Sequence, residues 1–279
     1  MREITFDQIA SAVEKLCLEA CIHLPESMKA AITAAKEAET SPLARDILGD
    51  IEKNFCLACS EDLPICQDTG MAVVFIKLGQ EVHITGGLLS DAVDEGVRRA
   101  YVGNLRCSVV SDPLRRVNSG DNTPAVLHLE LVEGDRMEIT VAPKGFGSEN
   151  MSRMKMFTPA ASRQDIIDFV AETAKTAGSN PCPPMVLGVG LGGTVEQCAL
   201  AAKTALLRDA GSGHPDPMYA ELEKDMLDAV NATGIGPQGI GGCTTALAVF
   251  VEPRATHIAG LPCVVNVSCH ATRHAHMIL

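Results

Sequence analysis

The sequence predicts an α/β mixed (α+β) fold: a helical N-terminal segment followed by mixed sheet elements with packed helices. Three observations carry this. Apolar residues recur at helical spacing through residues 1–60. Short apolar or alternating runs bounded by turn residues follow, at Met71–Leu78, Val126–Leu131 and Met137–Val141. Beyond residue 160, helical and strand patterns alternate.

Thr5 and Gln8 form a capping-box pattern ahead of Ile9, Val13, Leu16 and Cys17 on one face. Ser41-Pro42 opens another helix, with Leu43, Ile47, Leu48, Ile51 and Phe55 inward. Met71–Leu78 suits a buried strand, with Glu81–Thr85 expected to pair with it, and Ser90 is expected to cap a helix through Tyr101. Val126–Leu131, a Glu133-Gly134-Asp135 turn and Met137–Val141 read as a β-hairpin. A loop over Lys144–Asn150 follows. Ser162 caps a helix ended by Gly178. Met185–Val189 reads as a strand, Val195–Leu207 and Met218–Ala232 as helices, and Thr245–Val251 and Cys263–Val267 as closing strands. With no repeat, low-complexity tract or long linker, residues 1–279 read as one domain, in which the Gly/Pro-rich stretch Gly211–Pro217 is the best candidate for a flexible joint.

Hydrophobic content of 46% and charged content of 21% describe an ordinary globular chain. Aromatics are only 3% and Trp is absent, so aliphatics, Met and Cys must fill the interior. A net charge of −12 argues against nucleic-acid or anionic-lipid partners. The start runs directly into an amphipathic pattern, and no apolar stretch is long enough to span a bilayer, so a cytoplasmic protein is expected. In a reducing compartment the eleven cysteines are not a disulfide framework. Cys17, Cys21 and Cys198 fall at helical core spacing.

Three cysteines sit in segments built to hold a thiolate: Pro64-Ile65-Cys66-Gln67-Asp68-Thr69-Gly70, Asn180-Pro181-Cys182-Pro183-Pro184 and Asn266-Val267-Ser268-Cys269-His270. Prolines restrict the backbone around the first two. Three thiolates can hold a [4Fe–4S] cluster and leave one iron open as a Lewis acid. The other eight cysteines are assigned packing roles. Asp68 would bring a carboxylate beside such a site, and Arg106 could grip a carboxylate bidentately. His257 and His270 lie close in sequence to Cys269. Taken singly, Arg106 reads as a surface charge, His257 as a core histidine and Asp68 as a turn residue; their coincidence with the thiolates favours chemistry.

Two other patterns compete. Gly188-Val189-Gly190-Leu191-Gly192-Gly193 matches a dinucleotide-binding glycine run, but Arg208–Pro215 cannot supply the next strand with its acidic end. Close packing at a strand-to-helix turn is favoured over a nicotinamide oxidoreductase. Cys56-Leu57-Ala58-Cys59, with Cys66 beyond, would suit a zinc-binding interaction module, yet no second half-site follows.

Taken in order, Pro64–Gly70, Asn180–Pro184, Gly234-Ile235-Gly236-Pro237-Gln238-Gly239 and Asn266–His270 resemble the iron–sulfur hydro-lyases of the class I fumarase and L(+)-tartrate dehydratase family. The likeness covers essentially the whole chain and is narrowest with the α subunit of the two-subunit form. It implies that Cys66, Cys182 and Cys269 ligate a [4Fe–4S] cluster with one iron not ligated by cysteine. It also implies that Gln67, Asp68, Arg106, Gly147 and His257 line a pocket for a small dicarboxylate, with Asp68 and His257 in catalytic roles. The family places further basic residues and a hydroxyl-bearing base in a β region, so activity is expected only with a β subunit. Reversible hydration of fumarate to L-malate ranks first and dehydration of L-tartrate second. Cys243 departs from the pattern, standing where relatives are expected to carry a lysine.

Overall fold

A computed structural model describes residues 2–279; Met1 lies outside the described residues. In chain order the elements are β1 (Arg2–Thr5), α1 (Phe6–Ile22), α2 (Glu26–Ala38), α3 (Pro42–Ser60), β2 (Met71–Gly79), β3 (Val82–Thr85), α4 (Leu89–Tyr101), β4 (Val126–Val132) and β5 (Met137–Lys144). They continue with α5 (Phe146–Glu149), β6 (Arg153–Phe157), α6 (Arg163–Ala177), β7 (Met185–Gly192), α7 (Val195–Ala205), α8 (Pro217–Asn231), a 3-10 turn (Pro237–Gly239), β8 (Ala246–Arg254), β9 (Leu261–Ser268) and β10 (Ala275–Ile278). This is the mixed α/β class that the sequence predicts. Among the described residues no helix is long and apolar enough to cross a membrane.

Contacts divide the chain into two units. The first comprises residues up to Pro25, Phe55–Phe146 and Arg273–Leu279; the second comprises Glu26–Asn54 and Gly147–Thr272.

In the first unit, the Thr5 hydroxyl accepts the Gln8 amide at 3.3 Å while Gln8 Oε1 accepts the Thr5 amide at 2.8 Å, so the capping box starts α1 as expected. The main sheet has the order β10–β5–β2–β4. Val74, Ile76, Met137, Ile139 and Val141 pack with buried residues of α1 and α4 in one core. The two helices approach closely at Gly96, where a Cβ would lie 2.5 Å from the Ala10 carbonyl oxygen. On the opposite face Phe75 stacks on His128 and Lys77 pairs with Glu138 at 3.4 Å.

Three local expectations need correction. The β4–β5 pair is not a hairpin, because β2 runs between them, parallel to β4 and antiparallel to β5. The connection passes over the end of β2, and the Gly79, Gln80 and Glu81 amides donate to Arg136, Val132 and Gly134 carbonyls. A Cβ at Gly79 would sit 2.4 Å from the Gly134 oxygen, so the crossing requires glycine. Since both sides of β2 are occupied, β3 pairs instead with β1, in parallel. Finally, α4 begins one residue before Ser90, with Leu88 as an N-cap that makes no side-chain bond.

The second unit is layered α/β/α around a sheet of order β6–β9–β7–β8. Leu187, Val189, Val265 and Val267 pack against α6 and α8, while Val264 meets Cys198 and Ala202 of α7. With both faces covered, β7 is an almost uninterrupted buried run. Ser162 and Gly178 cap α6 as expected. The 188–193 glycines have a packing explanation. A Cβ on Gly188 or Gly190 would fall 2.0 Å from the Ala202 or Cys198 carbonyl oxygen of α7. Lacking Cβ atoms, β7 lets the helix backbone lie directly on it.

Candidate functional site

Cys66 lies in the first unit, on the loop between α3 and β2. Buried side chains hold three successive carbonyls of this loop. Arg273 donates to Asp68 at 2.6 Å, Tyr101 to Thr69 at 3.0 Å and Asn122 to Gly70 at 3.1 Å. Arg273 is only 5% exposed, and Tyr101 and Asn122 are fully buried. The Ile65 amide is tied to the Cys21 carbonyl at 2.9 Å. Gly70, at φ 78°, runs so close to Lys144 that a Cβ would meet its backbone at 2.8 Å. A loop whose polar backbone groups are bound this completely keeps one shape.

On this frame, Cys66 Sγ accepts the Asp68 amide at 3.4 Å, and its thiol lies 3.4 Å from Gln67 Oε1. The Asp68 carboxylate accepts the Gly70 amide at 3.0 Å on one oxygen and the Phe146 amide at 2.9 Å on the other. The Thr69 hydroxyl donates to the Arg106 carbonyl at 2.7 Å, which places Arg106 beside the loop. The Arg106 side chain is exposed and makes no hydrogen bond or ion pair among the described residues.

Cys182 and Cys269 belong to the second unit. Val186 of β7 pairs with Ser268 of β9, so the residues just before β7 and just after β9 emerge at the same end of the sheet. His270 ties the two loops together: its amide donates to the Cys182 carbonyl at 3.4 Å, and its Nδ1 lies 2.9 Å from the same oxygen. The same Nδ1 lies 3.4 Å from Gln238 Nε2, so the ring sits between the Cys182 carbonyl and the Gln238 side chain. The Cys269 carbonyl in turn accepts the Thr272 amide at 3.1 Å and hydroxyl at 2.8 Å. Cys182 is exposed and adopts φ 52°, a left-handed conformation that costs a non-glycine residue about 1 kcal/mol or more. Gly147 reaches this end of the sheet, its Cβ position 3.4 Å from the Asn180 carbonyl. Glu149 anchors that short helix through Lys203 of α7 and through Asn266 Nδ2 at 3.0 Å.

His257 lies elsewhere. It follows β8, whose Arg254 pairs with Gly192 at the far end of β7. Eight residues of strand separate the two ends, roughly 25 Å at 3.3 Å per residue. His257 is exposed, and its Nδ1 accepts the Ala259 amide at 3.1 Å, leaving the neutral-ring proton on Nε2. Thus Cys66, Gln67, Asp68 and Arg106 gather in the first unit, and Cys182, Cys269 and Gly147 in the second, apart from His257.

Burial separates the remaining cysteines. It raises Cys17 and Cys21 and pushes Cys198 to about 11 and Cys263 to about 12, which suits apolar filling and opposes thiolate ligation. Packing does not account for all eight, because Cys56, Cys59 and Cys243 are exposed. Among the described residues no group of three or more His, Cys, Asp or Glu side chains is arranged to hold a metal ion.

Residues 10–278 match the family model described as Fumarate hydratase (Fumerase). The chain belongs to the fumarate hydratase family. It is therefore a hydro-lyase chain. It is 41% identical over 276 residues, 96% of each chain, to a Methanocaldococcus jannaschii protein named "Putative L(+)-tartrate dehydratase subunit alpha". It is also 31% identical over 259 residues to the L(+)-tartrate dehydratase subunit alpha of Escherichia coli O157:H7, covering 92% of this chain and 86% of that one. The protein of the same name from Escherichia coli strain UTI89 is 32% identical over 253 residues, covering 90% and 84%.

Around these candidate residues, sequence reasoning missed the supporting ones. Gln238, at φ 53°, binds the Pro183 carbonyl beside Cys182. Glu39, 1% exposed, accepts the amides of Thr40, Ser41 and Cys243 and so fixes the loop that follows Gln238. Cys243 lies 3.2 Å from the Thr40 hydroxyl. The one available signal was Gln238 within Gly236-Pro237-Gln238-Gly239, a glycine-flanked polar residue with no packing task.

Proposed function

We propose that this chain is the α subunit of a cytoplasmic two-chain iron–sulfur hydro-lyase that reversibly hydrates fumarate to L-malate together with a β subunit. Residues 1–279 work as one catalytic chain, without a nucleic-acid or membrane partner. The observation that carries the reading is the Cys66 loop, where a thiol, a backbone-anchored carboxylate and an unpaired arginine stand on a frame fixed by Tyr101, Asn122 and Arg273.

The thiols suit a [4Fe–4S] cluster. Cys66 receives an N–H bond, and Cys182 and Cys269 sit on loops that His270 joins, whereas deep burial disfavours the thiolate at Cys17, Cys21, Cys198 and Cys263. Held by Cys66, Cys182 and Cys269, with one iron not ligated by cysteine, such a cluster supplies Lewis acidity toward the departing hydroxyl. The chain's own residues do the rest. Arg106 takes one substrate carboxylate bidentately and offsets the charge that develops there as the neighbouring C–H proton leaves. Gln67 and the Gly147 backbone orient the remaining polar atoms. Asp68 is fixed by one N–H on each oxygen and retains lone pairs with which to hold and pass a proton. His257 is the proton relay on the resemblance alone, since within its unit it stands far from the two cysteines.

A second reading, dehydration of L(+)-tartrate, is favoured by the names of relatives 31–41% identical to the chain. Anaerobic co-expression with a β chain, followed by assay on fumarate, L-malate and L(+)-tartrate, decides between them. The expected product is a brown protein, bleached by air, with highest kcat/KM for fumarate and L-malate. Highest activity on tartrate would establish the second reading. A colourless protein with stoichiometric zinc at Cys56, Cys59 and Cys66 would replace both. Asp68→Asn should keep the cluster and lose about 100-fold or more in turnover; full turnover would remove Asp68 from catalysis.

A further inference from the structure

The sheet of the first unit ends in an exposed strand. β4 pairs with β2 on one side, and among the described residues no strand lies along its other side. Its seven residues, Val126–Val132, contain no proline or lysine, the usual guards of an open edge. Leu127 packs partly against the core, but Leu129 and Leu131, which project from the same face, are 51% and 69% exposed. His128 and Glu130 project from the opposite face.

We propose that β4 pairs antiparallel with β4 of a second copy of this chain, joining two four-stranded sheets into one, with Leu129 on the two-fold axis. The register follows from the residues. Opposite positions in an antiparallel pair share a face, so a register centred between two residues would set leucines against His128 and Glu130. Centring on His128 places the two histidines opposite each other, and centring on Glu130 does the same for two carboxylates. Only the Leu129 centre sets Leu127 opposite Leu131 on the core face and His128 opposite Glu130, twice, on the other. That self-complementarity selects a second copy, since an isologous contact must match its own sequence.

Sedimentation equilibrium on the full-length chain tests this. The wild type should dimerise, and Glu130→Lys, an exposed change that sets lysine opposite histidine twice, should weaken the dimer on the order of tenfold. His128→Glu combined with Glu130→Lys restores the opposition and should recover most of the loss. Under a mild oxidant, Leu129→Cys should give a cross-link that maps to residue 129 of both copies. A chain monomeric at every concentration, a dimer indifferent to the charge swap, or protection of β4 by a β chain in place of the 129–129 cross-link would each overturn the proposal.

Discussion

Gln238 grips Pro183 with two donors: its backbone amide and its side-chain amide both reach the same carbonyl oxygen, at 2.8 and 2.9 Å. Pro183 follows Cys182 directly, so the grip is one residue away from a proposed cluster ligand. The left-handed backbone of Gln238 turns both donors the same way.

Gln238→Ala should therefore leave the fold intact and loosen the Cys182 loop. Side chains that orient a metal ligand typically contribute roughly 10–100-fold to metal retention. Iron content and visible absorption after anaerobic gel filtration should fall, while turnover per bound cluster should change little. Unchanged iron retention would make the grip incidental.

Thiol footprinting separates the cysteines by environment. In the metal-free chain at pH 8, iodoacetamide should modify Cys56, Cys59 and Cys243, while Cys17, Cys21, Cys198 and Cys263 stay protected by burial. Cluster reconstitution should add protection at Cys66, Cys182 and Cys269 and leave Cys56 and Cys59 reactive. Protection of Cys56 and Cys59 would point to zinc chemistry.

Gly190→Ala should cost at least about 1–3 kcal/mol of stability, because the new methyl would sit 2.0 Å from the Cys198 carbonyl oxygen. Thermal unfolding measures it. Added nicotinamide nucleotide should stabilise neither the wild type nor the variant.

Asp121 gives a pH signature. Burial opposes its charge, but hydrogen bonds from the Thr123 hydroxyl and amide and from Arg98 prevail and hold the carboxyl down to about 2. A folded-state value below the unfolded one stabilises the fold above about pH 4, and the gain is lost as pH falls through about 2. With screening allowed for, it amounts to roughly 1–2 kcal/mol. Asp121→Asn should unfold earlier than the wild type at pH 7, and the gap should close toward pH 2.

What the sequence disclosed divides along contact range. Thr5 with Gln8 and Ser162 with Gly178 announce helix boundaries because their partners lie within a turn or two. The hairpin expectation failed because Val126–Val141 has the same alternation whether its strands touch or straddle a third. The stiff cysteine loops were legible through their prolines. The residues that hold them were not: Arg273 reaches Asp68 across 205 positions, and Cys243 meets Glu39 across 204. Distances of that kind leave no periodic trace in a single sequence.

The three carbonyl bonds from Arg273, Tyr101 and Asn122 have a consequence for assembly. None of them involves a sulfur atom, so the Cys66 loop takes its final shape from protein alone. If Cys66 ligates a cluster as proposed, loading at this loop would be insertion into a finished socket. Air damage that stripped such a cluster would leave the loop standing, ready for repair without refolding.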